Sequence, residues 1–202
     1  MKLFYSAASP FVRKVMFVAI EKGLADRIEQ IPAAVSPIQP NTDLARHNPL
    51  MKLPALITDD GLELIESKVI CQYLDSVGTG RLLAAGGPQR WRALRLEAIA
   101  DGIADAGILL RYELTMRPEA LRWPEWQAGQ LSKMNNGLDL LEREVAALDE
   151  PLHLGQVAVA AACTWLEFRN VVPGARASRP QLFAWLDRMN RERASFAQTT
   201  PR

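Results

Sequence analysis

The pair Ser9-Pro10 is the first place in the sequence where residue types and spacing could do chemistry. Apolar residues recur at helical spacing after it, and serine followed by proline is typical of a helix start. A hydroxyl at that point lies at the positive end of the helix dipole, where it can face an anionic ligand. Ser9 is not predicted to be a nucleophile, because no histidine and acid pair accompanies it to remove its proton.

A second pair, Glu66-Ser67, precedes another helical pattern, formed by Val69, Ile70, Tyr73, Leu74 and Val77. A helix N-terminus presents unpaired N–H donors and partial positive charge, which suits a carboxylate, and a serine hydroxyl adds a donor. Ordinary capping and first-turn residues explain the same pair equally well. The residues alone favour capping.

The other reactive side chains are isolated in the sequence. Cys71 and Cys163 lie far apart within apolar helical patterns, which predicts reduced, buried thiols without a disulfide or a CxxC redox pair. His47 and His153 have no second imidazole or thiol at ligand spacing, so we expect no metal site.

Composition limits the class of protein and of partner. The 202 residues are 49% hydrophobic and 23% charged, enough for a core in one large or two small domains. A net charge of +1 gives no general attraction to nucleic acid or to an anionic membrane, so any anionic ligand must be bound locally. No apolar run is long enough to span a bilayer, and the first residues lack the apolar core of a secretory signal. We expect a soluble, cytoplasmic protein.

The first half of the chain alternates between strand and helix patterns. A strand is predicted at Lys2 to Tyr5, followed by a helix that ends near Gly23 and a weak strand from Arg27 to Ile31. A proline-rich loop with a short helical turn after Asn41 leads to a hairpin over residues 55–65, with its turn at Asp60-Gly61. The helix after Glu66 completes a β-α-β-loop-β-β-α order.

The second half lacks strand patterns altogether. The glycine-rich stretch "GTGRLLAAGGP" predicts a linker over residues 78–88, between a domain at 1–77 and an all-helical domain at 89–202. One long helix begins near Trp91 and another at Pro124. The small residues of "GQVAVAAACTWLEFR" predict a helix packed on all sides, and a last helix begins near Pro180.

Together these features resemble the cytosolic glutathione transferases, most of all the bacterial members with a serine at the active site. The resemblance is carried by "SPFVRKV" after the first strand, "NPLMKLPAL" before the hairpin and "ESKVICQYLD" on the helix after it. It covers essentially the whole chain. It implies an α/β thioredoxin-like domain followed by an all-α helical bundle, usually assembled as a homodimer.

The resemblance also implies how glutathione is bound. Pro54 is expected in the cis form, and Leu53 before it offers its backbone N–H and C=O to the cysteinyl part. Ser67 and the helix start would bind the γ-glutamyl carboxylate, and Glu66 its ammonium group. Lys52 could pair with the glycine carboxylate. Ordinary structural roles remain open, because Pro54 can simply start an edge strand and Lys52 can be an exposed lysine.

By the same resemblance, Ser9 would stabilise the glutathione thiolate. A free thiol has a pKa of about 8.5, and lowering it to about 6.5 requires about 2.7 kcal/mol. One charge-assisted hydrogen bond of about 1.5–3 kcal/mol, helped by the helix dipole, is sufficient. Tyr5 and Ser6 are alternative donors. Arg13, one turn further on, is either a source of positive potential or an exposed residue of the helix face.

A hydrophobic electrophile would be the second substrate. It is expected between Phe11 and the first long helix of the bundle, where Ala106 and Leu110 are four residues apart and share a face. One departure from the family concerns the small-residue helix, which usually follows a Ser/Thr-x-x-Asp capping box. Here His153 and Gln156 take those positions, which predicts a weaker box.

Two functions follow from these observations. The first is an enzyme that activates the glutathione thiol and conjugates it to electrophiles, with glutathione as co-substrate and no other cofactor or metal. The second is a catalytically inactive relative that keeps the fold as a binding or regulatory protein. The presence of both Ser9 and Glu66-Ser67 favours the enzyme over the inactive relative.

Overall fold

The alternating first half of the chain forms one mixed sheet. Its strands are β1 (Lys2–Tyr5), β2 (Glu29–Pro32), β3 (Ala55–Ile57) and β4 (Glu63–Ile65). The computed structural model, which describes residues 1–201, has the strand order β2-β1-β3-β4. β1 pairs in parallel with β2 and antiparallel with β3, and β3 pairs antiparallel with β4. The predicted strand at residues 27–31 begins later, because Arg27 lies in a short 3₁₀ helix.

Three helices accompany this sheet, α1 (Pro10–Glu21), α2 (Thr42–Ala45) and α3 (Ser67–Val77). α1 packs against α3, which also contacts β3 and β4. The predicted apolar stripe of α3 is only partly correct. Ile70 and Leu74 are buried, whereas Val69 and Val77 are nearly half exposed and the fully buried Cys71 takes part in the core. The inner face of α3 is therefore rotated from the one predicted.

The predicted linker is anchored at its start. The Lys22 ammonium group, only 1% exposed, donates to Asp75 Oδ1 at 2.8 Å and to the Gly80 carbonyl at 2.6 Å. The same carboxylate accepts the N–H groups of Leu82 at 2.6 Å and Leu83 at 3.1 Å. The buried Lys22 ammonium is thus paired with the Asp75 carboxylate, whose oxygens also accept two backbone N–H groups. Because all these groups are bonded, residues 80–83 are fixed rather than flexible.

The second unit, Trp91–Ala194, is entirely helical within its described residues. Its elements are α4 (Gly87–Thr115, which starts in the first unit), α5 (Pro124–Arg143), α6 (Leu154–Arg169), α7 (Ala175–Ser178) and α8 (Pro180–Glu192). α6 is buried over most of its length, as its small residues predict. A Cβ on Gly155 would lie 2.6 Å from the Ala93 carbonyl oxygen, so only glycine allows this approach of α6 to α4.

The start of α6 has a complete capping box. His153 Nδ1 accepts the Gln156 N–H at 3.3 Å, and Gln156 Oε1 accepts the His153 N–H at 2.7 Å. The Gln156 amide also donates to the carbonyls of Leu148 at 2.8 Å and Glu150 at 2.9 Å. The departure from the Ser/Thr-x-x-Asp pattern therefore keeps both reciprocal bonds and adds two more.

The domain boundary at the end of the chain differs from the prediction. The first unit comprises Met1–Arg90 together with the residues from Ser195 onward, which the sequence placed in the helical domain. Within α9 (Ala194–Gln198), Phe196 packs edge-on against Phe17 of α1 at 5.8 Å between ring centroids. This apolar contact explains why the last described residues belong with the first unit. No helix among residues 1–201 has both the length and the apolar composition that a membrane-spanning helix needs.

Candidate functional site

Strand register brings three predicted site segments to one edge of the sheet. Phe4 lies opposite Ala55, and Ala55 lies opposite Ile65. Because both pairings are antiparallel, the end of β1, the start of β3 and the end of β4 share that edge. α1 begins shortly after β1 and α3 directly after β4, so two helix N-termini start there. We call this edge, with Ser9, Leu53, Pro54, Glu66 and Ser67, the site edge.

Ser9 is the N-cap residue of α1. Its backbone is extended, and its Oγ accepts the Val12 N–H at 3.3 Å, while Pro10 occupies the first helical position. The predicted cap is confirmed. Since the oxygen accepts this bond, the hydroxyl proton is left to donate to another group. Capping and donation to an anion are thus compatible roles for the same side chain.

Leu53 and Pro54 enter the site edge through a cis peptide bond, as predicted. The backbone N–H and C=O of Leu53 have no hydrogen-bond partner among residues 1–201. Asn48, only 2% exposed, fixes the preceding loop, because its side chain donates to the Lys52 carbonyl at 2.8 Å and accepts the Leu50 N–H at 3.0 Å. Leu53 therefore presents a donor and an acceptor on a fixed segment.

Glu66 has an unusual backbone conformation at the start of α3. Its φ of 72° and ψ of 121° lie outside the regions that non-glycine residues normally adopt, at a cost of about 1–3 kcal/mol. No side chain caps the helix. The hydroxyl of the buried Ser67 donates to Glu66 Oε1 at 3.2 Å. The first N–H groups of α3 are consequently left for a ligand.

The alternative donors Tyr5 and Ser6 lie at the end of β1 and just after it. Both line a cavity of about 280 Å³ beside α1, which we call the α1 cavity. The residues that line it do not include Ser9, Leu53, Glu66 or Ser67. The Ser6 carbonyl accepts the Ser9 N–H at 3.1 Å, which fixes the turn into α1.

Arg13 is not the exposed helix-face residue that one interpretation predicted. It is 3% exposed, and its guanidinium donates to the Phe196 carbonyl at 3.1 Å and to Thr199 Oγ1 at 3.4 Å. It also stacks over the Phe196 ring at 4.2 Å from the centroid. The error arose because its partners lie at the far end of the chain, and nothing in the sequence indicates that pairing.

The remaining predicted residues are divided between the two units. Phe11 is half-buried on α1, and Lys52 is exposed before the site edge. Ala106 and Leu110 are both buried on α4. Leu110, but not Ala106, lines a cavity of about 530 Å³ within the second unit, together with Leu114, Leu131 and Val171.

Comparison with known proteins agrees with this arrangement. Residues 8–77 match the model of the glutathione S-transferase N-terminal domain. The chain is also 33% identical over 206 residues to the uncharacterized GST-like protein YibF of Escherichia coli K12, covering 100% of this chain and 98% of that protein. The chain belongs to the glutathione transferase family. This membership confirms the family resemblance that the sequence motifs predicted.

Solved structures extend the family match to the whole fold. A glutathione transferase family member from Pseudomonas fluorescens Pf-5 with bound glutathione is 40% identical, with a TM-score of 0.96 over 100% of this chain and 98% of that one. A structure from the same organism with bound S-(propanoic acid)-glutathione is 39% identical, with a TM-score of 0.91 and 100% coverage of both chains. A glutathione S-transferase from Methylobacillus flagellatus with glutathione bound is 33% identical, with a TM-score of 0.87 over 100% of this chain and 99% of that one. The predicted fold, a thioredoxin-like domain followed by a helical one, is confirmed.

Two contributors at or near the site edge were missed by sequence reasoning. Asn48 had a usable signal, since an Asn-Pro pair is typical of a turn that the asparagine side chain stabilises. The positive φ of Glu66 had none, because glutamate is not a residue type that normally adopts that conformation.

Proposed function

We propose that this protein is a serine-type glutathione transferase, in which Ser9 stabilises the thiolate of bound glutathione for conjugation to hydrophobic electrophiles. One observation carries the proposal. The antiparallel register of β1, β3 and β4 brings the Ser9 hydroxyl, the free backbone groups of Leu53 and the uncapped start of α3 to the same edge.

Each part of glutathione has a matching group at the site edge. The γ-glutamyl carboxylate binds the N–H groups at the start of α3 and the Ser67 hydroxyl, whose proton turns from Glu66 Oε1 to the ligand, and the Glu66 carboxylate receives the ammonium group instead. Leu53 pairs through its backbone with the cysteinyl residue, and Lys52 faces the glycine carboxylate. The relatives with bound glutathione support glutathione as the ligand of this fold.

The chemical role of Ser9 is to favour the anion. Its O–H donates to the sulfur, and the dipole of α1 adds favourable potential, so glutathione loses its thiol proton to solvent near neutral pH. The thiolate lone pair then forms the carbon–sulfur bond to the electrophile. The electrophile's own electron pair leaves with a leaving group, such as chloride from a chloronitrobenzene, or moves from an activated double bond to an atom that takes a proton from solvent. Tyr5 and Ser6 are less suitable donors, because both border the α1 cavity.

An apolar acceptor fits the rest of the proposal. Half-buried Phe11, two residues after Ser9, would supply an apolar contact for the electrophile. A related protein is known with S-(propanoic acid)-glutathione bound, which supports a glutathione conjugate as a ligand of this fold. Such conjugation serves detoxification. We further propose a cytoplasmic homodimer that needs no metal or cofactor besides glutathione, with the exposed apolar Val69 and Val77 on its surface as candidates for the dimer contact.

The test of function is retention on immobilised glutathione together with turnover of a generic chloronitrobenzene acceptor. We expect both. A folded protein that is neither retained nor active would instead support the catalytically inactive binding or regulatory alternative.

The test of the donor compares Ser9→Ala with Tyr5→Phe. Ultraviolet absorbance of bound thiolate, followed against pH, gives the thiol pKa in each variant. We expect Ser9→Ala to raise that pKa by about 1–2, in line with the loss of one charge-assisted hydrogen bond, and Tyr5→Phe to leave it unchanged. Loss of the thiolate in the phenylalanine variant alone would assign the role to Tyr5.

A further inference from the structure

The cavity of about 530 Å³ lies wholly within the second unit, where the ends of α4 and α6 meet the start of α5. We call it the helix-end cavity. Its apolar side chains include Leu110, Leu114, Leu131 and Val171. Leu114 is 40% exposed and Leu131 36%, so part of this apolar surface is open to solvent. Sites for small organic ligands typically have volumes of about 300–1,000 Å³, and this cavity is of that size.

Two arginine side chains line the same cavity, Arg111 on α4 and Arg169 at the end of α6. Both are half-buried, and neither guanidinium has a hydrogen-bond or ion-pair partner among residues 1–201. Arg169 lies over the Phe168 ring at 4.4 Å from the centroid, a contact that uses none of its N–H groups. Its Nε is enclosed, whereas its Nη1 and Nη2 and every nitrogen of the Arg111 guanidinium are accessible. These accessible donors can reach a ligand.

No carboxylate among the described residues lines the helix-end cavity. The acids that come nearest in the sequence are already paired, since Glu113 accepts Arg117 Nε at 2.6 Å and Glu167 accepts Arg176 Nε at 2.7 Å. Glu125, in the first turn of α5, is exposed and lies outside the cavity wall. The two guanidinium charges therefore have no counter-charge in this wall.

The charges of the two arginines also act on each other. Burial and the neighbouring charge of Arg111 lower the pKa of the Arg169 guanidinium. An anion bound to both side chains would offset this repulsion. The helix ends change the balance only in part, since the ends of α4 and α6 contribute about half a negative charge each and the start of α5 about half a positive one. An excess of about one and a half positive charges remains.

We propose that the helix-end cavity is a binding site for an amphipathic phosphate monoester, with its headgroup on Arg111 and Arg169. A phosphate monoester carries a charge of about −1.5 to −2 at pH 7, which matches this excess better than the single charge of a carboxylate. Its terminal oxygens accept N–H bonds from both guanidiniums, a pairing to which arginine is well suited. The alkyl group lies against Leu110, Leu131 and Val171.

The site does not depend on the proposed glutathione chemistry. The residues that line the helix-end cavity lie in the second unit, whereas Ser9, Leu53, Glu66 and Ser67 belong to the first. A failure of either proposal would therefore leave the other standing.

The test is a titration of the full-length protein with octyl phosphate, followed by calorimetry and by amide chemical shifts at neutral pH and constant ionic strength. Octanoate, octanol and inorganic phosphate serve as comparison ligands, because each lacks either the dianionic headgroup or the alkyl chain. We expect octyl phosphate to bind about tenfold more tightly than octanol or inorganic phosphate, and more tightly than octanoate. Shifts should concentrate at Thr115, Gln127 and Asn170, which line the cavity.

Variants separate the two anchors from general charge effects. Arg111→Gln and Arg169→Gln should each weaken the binding of octyl phosphate about tenfold. Arg92→Gln is the matched control and should change nothing, since Arg92 is exposed on the same helix as Arg111 and does not line the cavity. If an arginine variant fails to fold, Ala128→Phe, which narrows the cavity and keeps both guanidiniums, should weaken binding on its own.

Several outcomes would overturn the proposal. Equal affinity for octyl phosphate and octanol would remove the role of charge, and tighter binding of octanoate would contradict the predicted headgroup. Equal affinity for inorganic phosphate would remove the role of the apolar wall. Shifts confined to Glu66 and Ser67 would place the ligand at the site edge instead. Unchanged binding in both arginine variants would exclude the anchors, and unchanged binding in Ala128→Phe would exclude the cavity.

Discussion

The starts of α3 and α6 solve the same physical problem in opposite ways. Each helix begins with N–H groups that have no partner within the helix. At α6 the side chains of His153 and Gln156 complete a reciprocal box, and Gln156 adds two bonds to the preceding turn. At α3 no side chain caps the helix, and Glu66 is held in a strained conformation.

This difference separates a structural helix start from a binding one. A helix start that satisfies its own donors contributes to stability and has little left for a ligand. A helix start that leaves them open gives up that contribution and gains an anion site. Substitutions at α6 should therefore change folding alone, and substitutions at α3 should change glutathione binding.

The largest effect is expected at Gln156, which is 3% exposed. Gln156→Leu leaves the Glu150 carbonyl and the His153 N–H without their partners, and it removes one of the two donors to the buried Leu148 carbonyl, which keeps the Trp185 Nε1–H. We expect the free energy of unfolding to fall by about 3 kcal/mol. Urea denaturation measures it, with exposed Gln181→Leu on α8 as the matched control.

Glutathione affinity of the folded Gln156→Leu protein should be unchanged. A tenfold loss of affinity without loss of stability would mean that the start of α6 also serves binding, and the contrast between the two helices would fail.

At Ser67 we expect a smaller effect, and we expect it on glutathione binding rather than on stability. Ser67→Ala removes the proposed donor to the γ-glutamyl carboxylate, so glutathione affinity should fall about tenfold, or about 1.4 kcal/mol. Stability should change little, because the hydroxyl bonds only to exposed Glu66 among the described residues. Calorimetry and urea denaturation give the two quantities.

Ser76→Ala is the matched control for Ser67, since Ser76 lies on the same helix and its hydroxyl donates to the Tyr73 carbonyl at 2.7 Å. If both alanine variants lose the same affinity, the effect belongs to the helix as a whole and not to its first residue.

The smallest effect concerns the pH dependence of the α6 cap. Burial lowers the pKa of His153, so the folded protein favours the neutral ring that accepts the Gln156 N–H. As pH falls below about 6.5, the unfolded state binds this proton first, and stability is lost progressively toward the lower folded pKa. Wild type should therefore lose stability relative to His153→Ser, whose hydroxyl cap does not titrate.

Unfolding free energies of both proteins between pH 7.5 and 5 provide the measurement, at pH values chosen about the ordinary histidine pKa of about 6.5. The difference between the two should grow as the solution becomes acidic. A constant difference would show that protonation of His153 does not change the free energy of unfolding.

Local patterns predicted most of the fold. The cap at Ser9, the short helical turn after Asn41, the Asp60-Gly61 hairpin and the small-residue α6 were all predicted from neighbours in sequence, because turns, caps and helical periods depend on nearby residues. The site edge required the family resemblance, since strand register over distant residues is not visible in one sequence.

Two buried cations that were missed have partners far away in the chain. Arg13 meets Phe196 and Thr199, and Lys22 meets Asp75 and the linker after it. A lysine or arginine on a helix normally predicts a solvated face. Only the packed structure shows that these two cations are inside.

The segment that begins at Ser195 belongs to the first unit, and this limits how the chain can be recombined with a relative. A hybrid gene joined at the boundary near Arg90 would inherit the sheet from one parent and Phe196 from the other. Arg13 from one parent would then meet the aromatic ring and carbonyl of Phe196 from the other. Compatible exchanges therefore require two crossovers, one on each side of the second unit.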